Sequence, residues 1–248
     1  MIRDLRRRAL GTLRSLDLRR TDDVPYGPDP AQQLTVWTPL TPRPAAGWPT
    51  LLMLHGGGWV SGSRRDFDSF APTVALRGVQ CVAAGYRLGP RHRWPTQQED
   101  TLTALDALPE LVDADPSRLV TWGHSAGGQL ALLAAAHRPL AGAVALGAPA
   151  DLRAIVRPAP DVFDNHQLDD ASPAHMLRPG PEGPPIFLVH GEQDRVCPVD
   201  QARALHAALP QRCTLVTVPG GNHGLHWPPL RCHDAKQRAV RWALERLH

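Results

Sequence analysis

Short apolar runs recur along most of the 248-residue chain, separated by polar stretches that contain glycine or proline. Almost continuous apolar runs of four to eight residues are typical of strands that are buried on both faces. Such strands are predicted at residues 49–54, 118–122, 143–146, 185–191 and 213–218. Because they alternate with helical patterns, we expect an α/β fold with a mostly parallel central sheet and helices on both of its faces.

One predicted strand ends in the pattern G-x-S-x-G at residues 123–127 and leads into the Ala- and Leu-rich helical segment 129–136. In a nucleophile elbow, a serine occupies a sharp strand-to-helix turn with its Oγ exposed. Gly123 and Gly127 fit this turn, because a side chain at either position would collide with a neighbouring strand or helix. The pattern predicts Ser125 as a nucleophile; the alternative is a glycine-rich turn with an incidental serine.

An earlier predicted strand ends in the sequence HGGGW at residues 55–59. Glycines allow the backbone to approach a substrate closely and to turn its N–H groups toward a developing negative charge. The pattern therefore predicts an oxyanion hole formed by the backbone N–H groups of Gly57, Gly58 and Ala126. His55 is expected to brace this loop by hydrogen bonding. The alternative is a flexible glycine loop without a role.

A nucleophilic serine needs a base that takes its proton. In enzymes with a nucleophile elbow, an acid and then a histidine follow the serine along the chain. Asp194 comes shortly after the predicted strand 185–191, which places it at the carboxyl edge of a parallel sheet. Asp194 is therefore predicted to orient the base. Glu192 and Asp200 are weaker candidates, Asp200 because it is expected to cap the next helix or to lie in its first turn.

His223 follows the predicted strand 213–218 on a loop that contains several glycines. This loop belongs to the same edge of the sheet, so His223 is predicted as the general base. His226 is the runner-up.

With these residues in place, the chain resembles the α/β-hydrolase superfamily. Within it, the chain is similar to the hormone-sensitive-lipase-like esterases and to the neighbouring kynurenine formamidase and carbohydrate-ester esterase groups. The resemblance starts near Val24, and further stretches carry it: VPYG at 24–27, QLTVWTP at 33–39, YRLGP at 86–90, WP at 94–95, ED at 99–100, SP at 172–173 and D-x-V-x-P at 194–198.

The resemblance implies Ser125, Asp194 and His223 as a catalytic triad. Two positions depart from the family pattern. Thr35 stands where the formamidase branch usually has an acid, and Arg91 stands where these esterases usually have a glutamate.

The predicted function is a serine hydrolase that cleaves carboxylic esters of small to medium acyl or aryl substrates through an acyl-enzyme intermediate. Such chemistry requires no metal and no organic cofactor. One alternative is an aryl-formamidase, an amidase or an acyl transferase with the same triad. The alternative from another class is a non-catalytic homologue that binds a small molecule.

A long irregular insert is predicted at about residues 150–183, where five prolines interrupt any regular pattern. Inserts of this kind cover the active site in many enzymes, so a short lid is expected. The substrate-binding candidates are Trp59, His124, Phe163 and Trp227, and the alternative for the aromatic side chains among them is plain core packing.

Length and composition fit one domain over residues 1–248, with a formal net charge of +3. The Arg-rich segment 1–23 contains no apolar run suited to a signal peptide or a spanning helix, so a cytoplasmic location is predicted. A surface or lid helix, or a partly ordered tail, is expected there rather than a nucleic-acid or membrane-binding element. The expected partner is a small-molecule ester or amide, and the expected assembly is a monomer or a homodimer.

The four cysteines are isolated in sequence, and no C-x-x-C pair occurs. Cys81 and Cys213 fall within apolar runs, where a thiol serves as a small apolar filler. Cys232 and His233 lie near other histidines, but their spacing matches no common zinc pattern, so no metal site is predicted.

Overall fold

Eight strands form one sheet within residues 17–155 and 161–248, the parts of the chain that the computed structural model describes. The strands are β1 Leu18–Pro25, β2 Gln33–Pro39, β3 Trp48–Leu54, β4 Gln80–Ala84, β5 Ala114–His124, β6 Gly142–Leu146, β7 Ile186–Gly191 and β8 Cys213–Val218. Across the sheet they lie in the order β1-β2-β4-β3-β5-β6-β7-β8. The pairs β1–β2 and β2–β4 are antiparallel, and all pairs from β4 to β8 are parallel. The predicted mostly parallel sheet is confirmed.

The helices of the described residues connect these strands. They are α1 Ala71–Ala75, α2 Thr96–Val112, α3 Ala126–His137, α4 Pro173–Met176, α5 Asp200–Ala208 and α6 Pro229–Leu247. Short 3₁₀ turns lie at Arg64–Phe67, Leu152–Ala154 and Asn165–Gln167.

Alternate residues of the central strands pack against helices on opposite faces of the sheet, as the two-residue period of a strand requires. On β3, Leu52 and Leu54 join the cluster that contains α2 and α3, whereas Leu51 and Met53 join the cluster that contains α1 and α6. The inner strands are therefore apolar on both faces, which is why they read as continuous apolar runs.

The β1 strand differs from the expectation for the N-terminal segment. Residues 1–16, which hold most of the predicted Arg-rich segment, lie outside the described residues, but Leu18–Pro25 forms an edge strand on β2. Arg19 and Arg20 are exposed on this edge, and charged side chains discourage a further strand from pairing there.

The insert between β6 and β7 is irregular, as predicted, and residues 156–160 within it lie outside the described residues. Val162, Phe163 and Leu168 of the insert are buried in the same core cluster as α3. The insert is thus packed onto the domain over much of its length.

Every helix in the described ranges is too short or too polar to cross a membrane.

Candidate active site

Ser125 occupies the turn between the end of β5 and the start of α3, and its backbone is strained. Its φ is 54° and its ψ is −122°, a conformation that non-glycine residues rarely adopt. Two main-chain hydrogen bonds hold it: its N–H donates to Leu146 O at 2.8 Å, and its carbonyl accepts from Gln129 N at 3.0 Å. The hydroxyl does not cap the helix, so it is available for another partner.

The glycines around Ser125 are required by close backbone packing. A Cβ atom on Gly123 would lie 2.1 Å from the carbonyl oxygen of Gly127. A Cβ atom on Gly127 would lie 2.0 Å from the carbonyl oxygen of Leu54. The crowding that the sequence predicted at these two positions is confirmed.

His223 lies on the loop between β8 and α6, with both ring nitrogens in hydrogen bonds. Its Nε2 is 2.9 Å from Ser125 Oγ, and its Nδ1 is 2.7 Å from Asp194 Oδ2. The structure therefore brings the three predicted residues together in series. His226, the runner-up, is exposed, and its backbone N–H donates to Asn222 Oδ1.

Asp194 follows β7, and both oxygens of its fully buried carboxylate have hydrogen-bond partners. Oδ1 accepts from the N–H groups of Val196 at 2.9 Å and Cys197 at 2.8 Å. Burial alone would raise the pKa of this carboxyl group, but hydrogen bonds from His190, His223 and Cys197 outweigh it and hold the pKa well below the usual range. The carboxylate stays ionised and fixed beside His223.

His190 is a buried neighbour of this carboxylate that the sequence reasoning missed. Its Nε2 lies 2.7 Å from Cys197 O and 3.3 Å from Asp194 Oδ2. Because a carbonyl only accepts, Nε2 carries a proton and shares it between the two oxygens. The signal in the sequence is a histidine at the end of an apolar strand, where a buried polar ring must find partners.

The glycine loop after β3 lies directly against the serine. A Cβ atom on Gly56 would be 3.5 Å from Ser125 Cβ. Gly57 and Gly58 have φ values of +111° and +60°, and their N–H groups donate to no acceptor in the described parts of the chain. Ala126 is the first residue of α3, where an N–H has no intrahelical acceptor. These three N–H groups are available to a ligand.

His55 braces this loop, as predicted. Its Nδ1 donates to Gly56 O at 2.8 Å, and its ring stacks on Tyr86 at 4.2 Å between centroids. The Tyr86 hydroxyl in turn donates to the carbonyl of His55 at 2.7 Å. Burial lowers the pKa of His55, so the ring is neutral near pH 7.

The four predicted substrate-binding residues have different surroundings. Trp59 and Phe163 are buried and meet edge to face at 4.8 Å between ring centroids, so they pack in the core. His124 donates from Nε2 to the carbonyl of His223 at 2.8 Å. Trp227 is 65% exposed on the loop after His223. Substrate contact by any of them stays a prediction.

Within residues 17–155 and 161–248, no group of three or more His, Cys, Asp or Glu side chains is arranged to hold a metal ion. The four cysteines are buried and form no disulfide.

Comparison with known proteins agrees with the fold. A family model described as alpha/beta hydrolase fold matches residues 51–154, and a model described as TAP-like protein matches residues 166–239. Thermogutta terrifontis esterase 2 superposes with a TM-score of 0.78 at 24% identity, covering 92% of this chain and 94% of that one. A phosphonate-inhibited esterase B from Lactobacillus rhamnosis superposes with a TM-score of 0.78 at 21% identity, covering 98% and 92%.

The chain has the α/β-hydrolase fold. Among proteins with a similar sequence, esterase LipC of Mycobacterium tuberculosis is 32% identical, and the match covers 81% of this chain and 59% of LipC. An ethyl acetate hydrolase of Pseudomonas putida is 38% identical over 51% of this chain and 40% of that protein. The chain thus spans about half the length of the curated relatives that it matches.

In this α/β-hydrolase fold, the loops that carry the candidate site all leave the carboxyl edge of the sheet. The glycine loop follows β3, Ser125 follows β5, Asp194 follows β7 and His223 follows β8. Parallel strands bring these four loops together although the residues are far apart in the chain.

Proposed function

We propose that this chain is a carboxylesterase that works through an acyl-enzyme intermediate. One observation carries the proposal: Asp194 Oδ2, His223 Nδ1 and Nε2, and Ser125 Oγ form a continuous hydrogen-bonded series with separations of 2.7 Å and 2.9 Å. The hydroxyl at the end of this series lies on a strained turn beside backbone N–H groups that have no acceptor within residues 17–155 and 161–248, which is the arrangement that acyl transfer needs.

The proposed reaction begins when Ser125 Oγ attacks the ester carbonyl carbon and His223 Nε2 takes the hydroxyl proton. The oxyanion of the tetrahedral intermediate accepts hydrogen bonds from the N–H groups of Gly57, Gly58 and Ala126. The C–O bond to the alcohol then breaks, and His223 returns the proton to the departing oxygen. A water molecule, deprotonated by His223, releases the acid from the serine in the same way.

Asp194 supports both half-reactions without giving up its charge. It holds the His223 ring with Nδ1 protonated, which leaves the Nε2 lone pair facing Ser125. Its low pKa means that the carboxylate is ionised wherever the imidazole can act as a base.

The relatives support an ester substrate rather than a formamide, because LipC, LipQ and the Pseudomonas putida protein are named as esterases or as an ethyl acetate hydrolase. The space beside Gly58 is open to an acyl group, because a Cβ atom at Gly58 would meet no atom within 4 Å. The insert is packed into the core through Val162 and Phe163, which supports a short fixed cover rather than a large mobile lid.

The decisive experiment measures hydrolysis of p-nitrophenyl acetate, butyrate and octanoate by the wild-type chain and by Ser125→Ala. We expect the wild-type chain to hydrolyse these esters and Ser125→Ala to reduce the rate at least about a thousandfold. A fluorophosphonate should label the wild-type chain and should not label the variant. An equal rate in the variant would contradict the mechanism.

N-formylkynurenine, tested in parallel, separates the rival activity. A higher kcat/KM for the formamide than for every ester would identify a formamidase. A folded protein that neither labels nor hydrolyses would identify a non-catalytic binding protein.

The unit that we propose to carry this activity is one catalytic domain over residues 1–248. Whether the chain is a monomer or a homodimer can be decided by light scattering. The cytoplasmic location stays a prediction.

A further inference from the structure

The side chain of Gln129 connects three parts of the candidate site and uses both ends of its amide. It is fully buried on the first turn of α3, one helical turn after Ser125. Its Oε1 accepts from Trp59 Nε1 at 3.1 Å, and its Nε2 donates to Ala171 O at 2.7 Å. One side chain therefore ties the glycine loop and the insert to the helix that begins at the nucleophile.

Trp59 needs such an anchor because its backbone is in an unfavourable conformation. Its φ is +64°, in the left-handed region, and it directly follows Gly57 and Gly58. A non-glycine residue in this region is strained and persists only where its surroundings hold it. The bond to Gln129 fixes its indole, and its carbonyl accepts from Gly89 N at 2.9 Å.

The insert supports the same indole from the other side. The ring of Phe163 meets Trp59 edge to face, with 4.8 Å between centroids and an interplanar angle of 89°. Ala171, which accepts from Gln129, lies in the same insert. Movement of the insert would therefore reach the glycine loop through Gln129 and Trp59.

We propose that Gln129 is a positioning residue that sets the oxyanion N–H groups of Gly57 and Gly58 relative to Ser125 by holding the Trp59 indole, and that it links their position to the insert. This inference rests on the proposed esterase function. The physical reason is geometric: an oxyanion donor acts at about 2.7–3.1 Å, so a small shift of the loop weakens transition-state stabilisation while it leaves substrate binding almost unchanged.

The test uses three variants and one control of the full chain. Trp59→Phe removes the indole N–H together with part of the ring, Gln129→Met removes the amide at similar size, and the third variant combines both. The control is Gln80→Met, because Gln80 is an equally buried amide that bonds Thr50, Thr38 and Val112 at the start of β4, at the edge of the sheet opposite the site.

With p-nitrophenyl butyrate, each single variant is expected to lose about tenfold in kcat with less than about a threefold change in KM, below the 10²–10³ that deletion of a whole donor costs. Inhibition by phenylboronic acid, which forms a tetrahedral adduct, should weaken in parallel. The loss in the double variant should be clearly smaller than the product of the two single losses, because both substitutions remove the same bond between Gln129 and Trp59.

Amide hydrogen exchange at Val60 and Ser61, whose N–H groups donate to Gly57 O at 3.2 Å and 3.0 Å, provides a readout that does not need activity. Faster exchange is expected in Gln129→Met and not in Gln80→Met. Unchanged exchange, or a kcat loss equal to that of Gln80→Met, overturns the inference. A wild-type chain that hydrolyses no ester overturns the proposed function instead, and the exchange result then still decides whether Gln129 anchors the loop.

Discussion

The imidazole of His124 donates from Nε2 to the backbone carbonyl of His223 at 2.8 Å. The residue that precedes the candidate nucleophile thus holds the main chain of the candidate base. Burial lowers the pKa of His124, which keeps the ring neutral near pH 7. Because a carbonyl only accepts, the neutral ring carries its proton on Nε2.

Replacing His124 with Phe should slow ester hydrolysis about tenfold, since the ring is retained in size but the donor to the His223 carbonyl is lost. The main chain of His223 would lose this bond, and only the bonds of the ring with Asp194 and Ser125 would then position the imidazole. The loss should appear mainly in kcat, measured with p-nitrophenyl butyrate alongside the Tm of each protein.

The control for this prediction is His226→Phe. His226 is exposed, and it bonds Asn222 through its backbone N–H rather than through its ring. Activity near that of the wild type is expected. If His226→Phe lost as much activity as a His223 variant, the assignment of the base would be wrong.

Replacing Asp194 with Asn should lower kcat about 10³–10⁴-fold, because the amide fixes the wrong tautomer of His223. The N–H groups of Val196 and Cys197 require an acceptor at Oδ1, so the amide nitrogen must turn toward His223. It would donate to Nδ1 and force the ring proton onto Nε2, which could then no longer accept from Ser125.

Glu192→Gln is the matched control, because Glu192 is the neighbouring acid and accepts from Thr217 Oγ1 at 2.9 Å, away from the series. Its kcat should stay within about twofold of the wild type. A larger loss of kcat in Glu192→Gln than in Asp194→Asn would show that Asp194 is not the orienting acid.

Local patterns predicted much of this molecule because they act over short stretches of chain. The strand at Cys213–Val218 was predicted with the observed bounds, and the helix after Ser125 was predicted within three residues of its observed start. The crowding at Gly123 follows from the turn itself, and for that reason it could be read from G-x-S-x-G.

Contacts between distant residues could not be read in this way. The bonds of His124 with His223 and of Gln129 with Trp59 join residues that are 99 and 70 positions apart, and no spacing within the chain encodes which partner a buried polar group finds. Trp227 lies near His223 in sequence, yet its ring is mostly exposed, because proximity in the chain does not fix the direction of a side chain.

Gly58→Ala should change mainly the selectivity for the acyl group, whereas Gly127→Ala should change mainly the stability of the fold. A methyl group on Gly58 meets no atom within 4 Å, so the protein should fold with a cost of about 1–2 kcal/mol for the positive φ. The methyl group would narrow the space beside the proposed oxyanion hole and reduce kcat/KM more for octanoate than for acetate esters.

A methyl group on Gly127, in contrast, would lie 2.0 Å from a backbone oxygen of β3, which cannot move without disturbing the sheet. Poor expression or a Tm lowered by more than about 10 °C is expected for this variant. Equal effects of Gly58→Ala on short and long esters would contradict the placement of the acyl group.

The stability of the fold should fall as the pH is lowered from 7 to 5. Burial lowers the pKa values of His55 and His124 in the folded state, whereas the unfolded chain takes up protons on these rings below about pH 6.5. The unfolded state therefore binds more protons in this range, and the free energy of unfolding rises with pH. The stabilisation is complete above pH 6.5 and is lost as the pH falls through the lowered folded-state values.

Urea unfolding at pH 7, 6 and 5 measures this slope, and His55→Gln should reduce it by up to about 1.4 kcal/mol per pH unit, the value for one proton. Gln80→Met is the control, because it destabilises the core without removing a titratable group, so it should lower stability at every pH by a similar amount. A wild-type slope that His55→Gln leaves unchanged would mean that His55 binds its proton equally well in the folded and unfolded states.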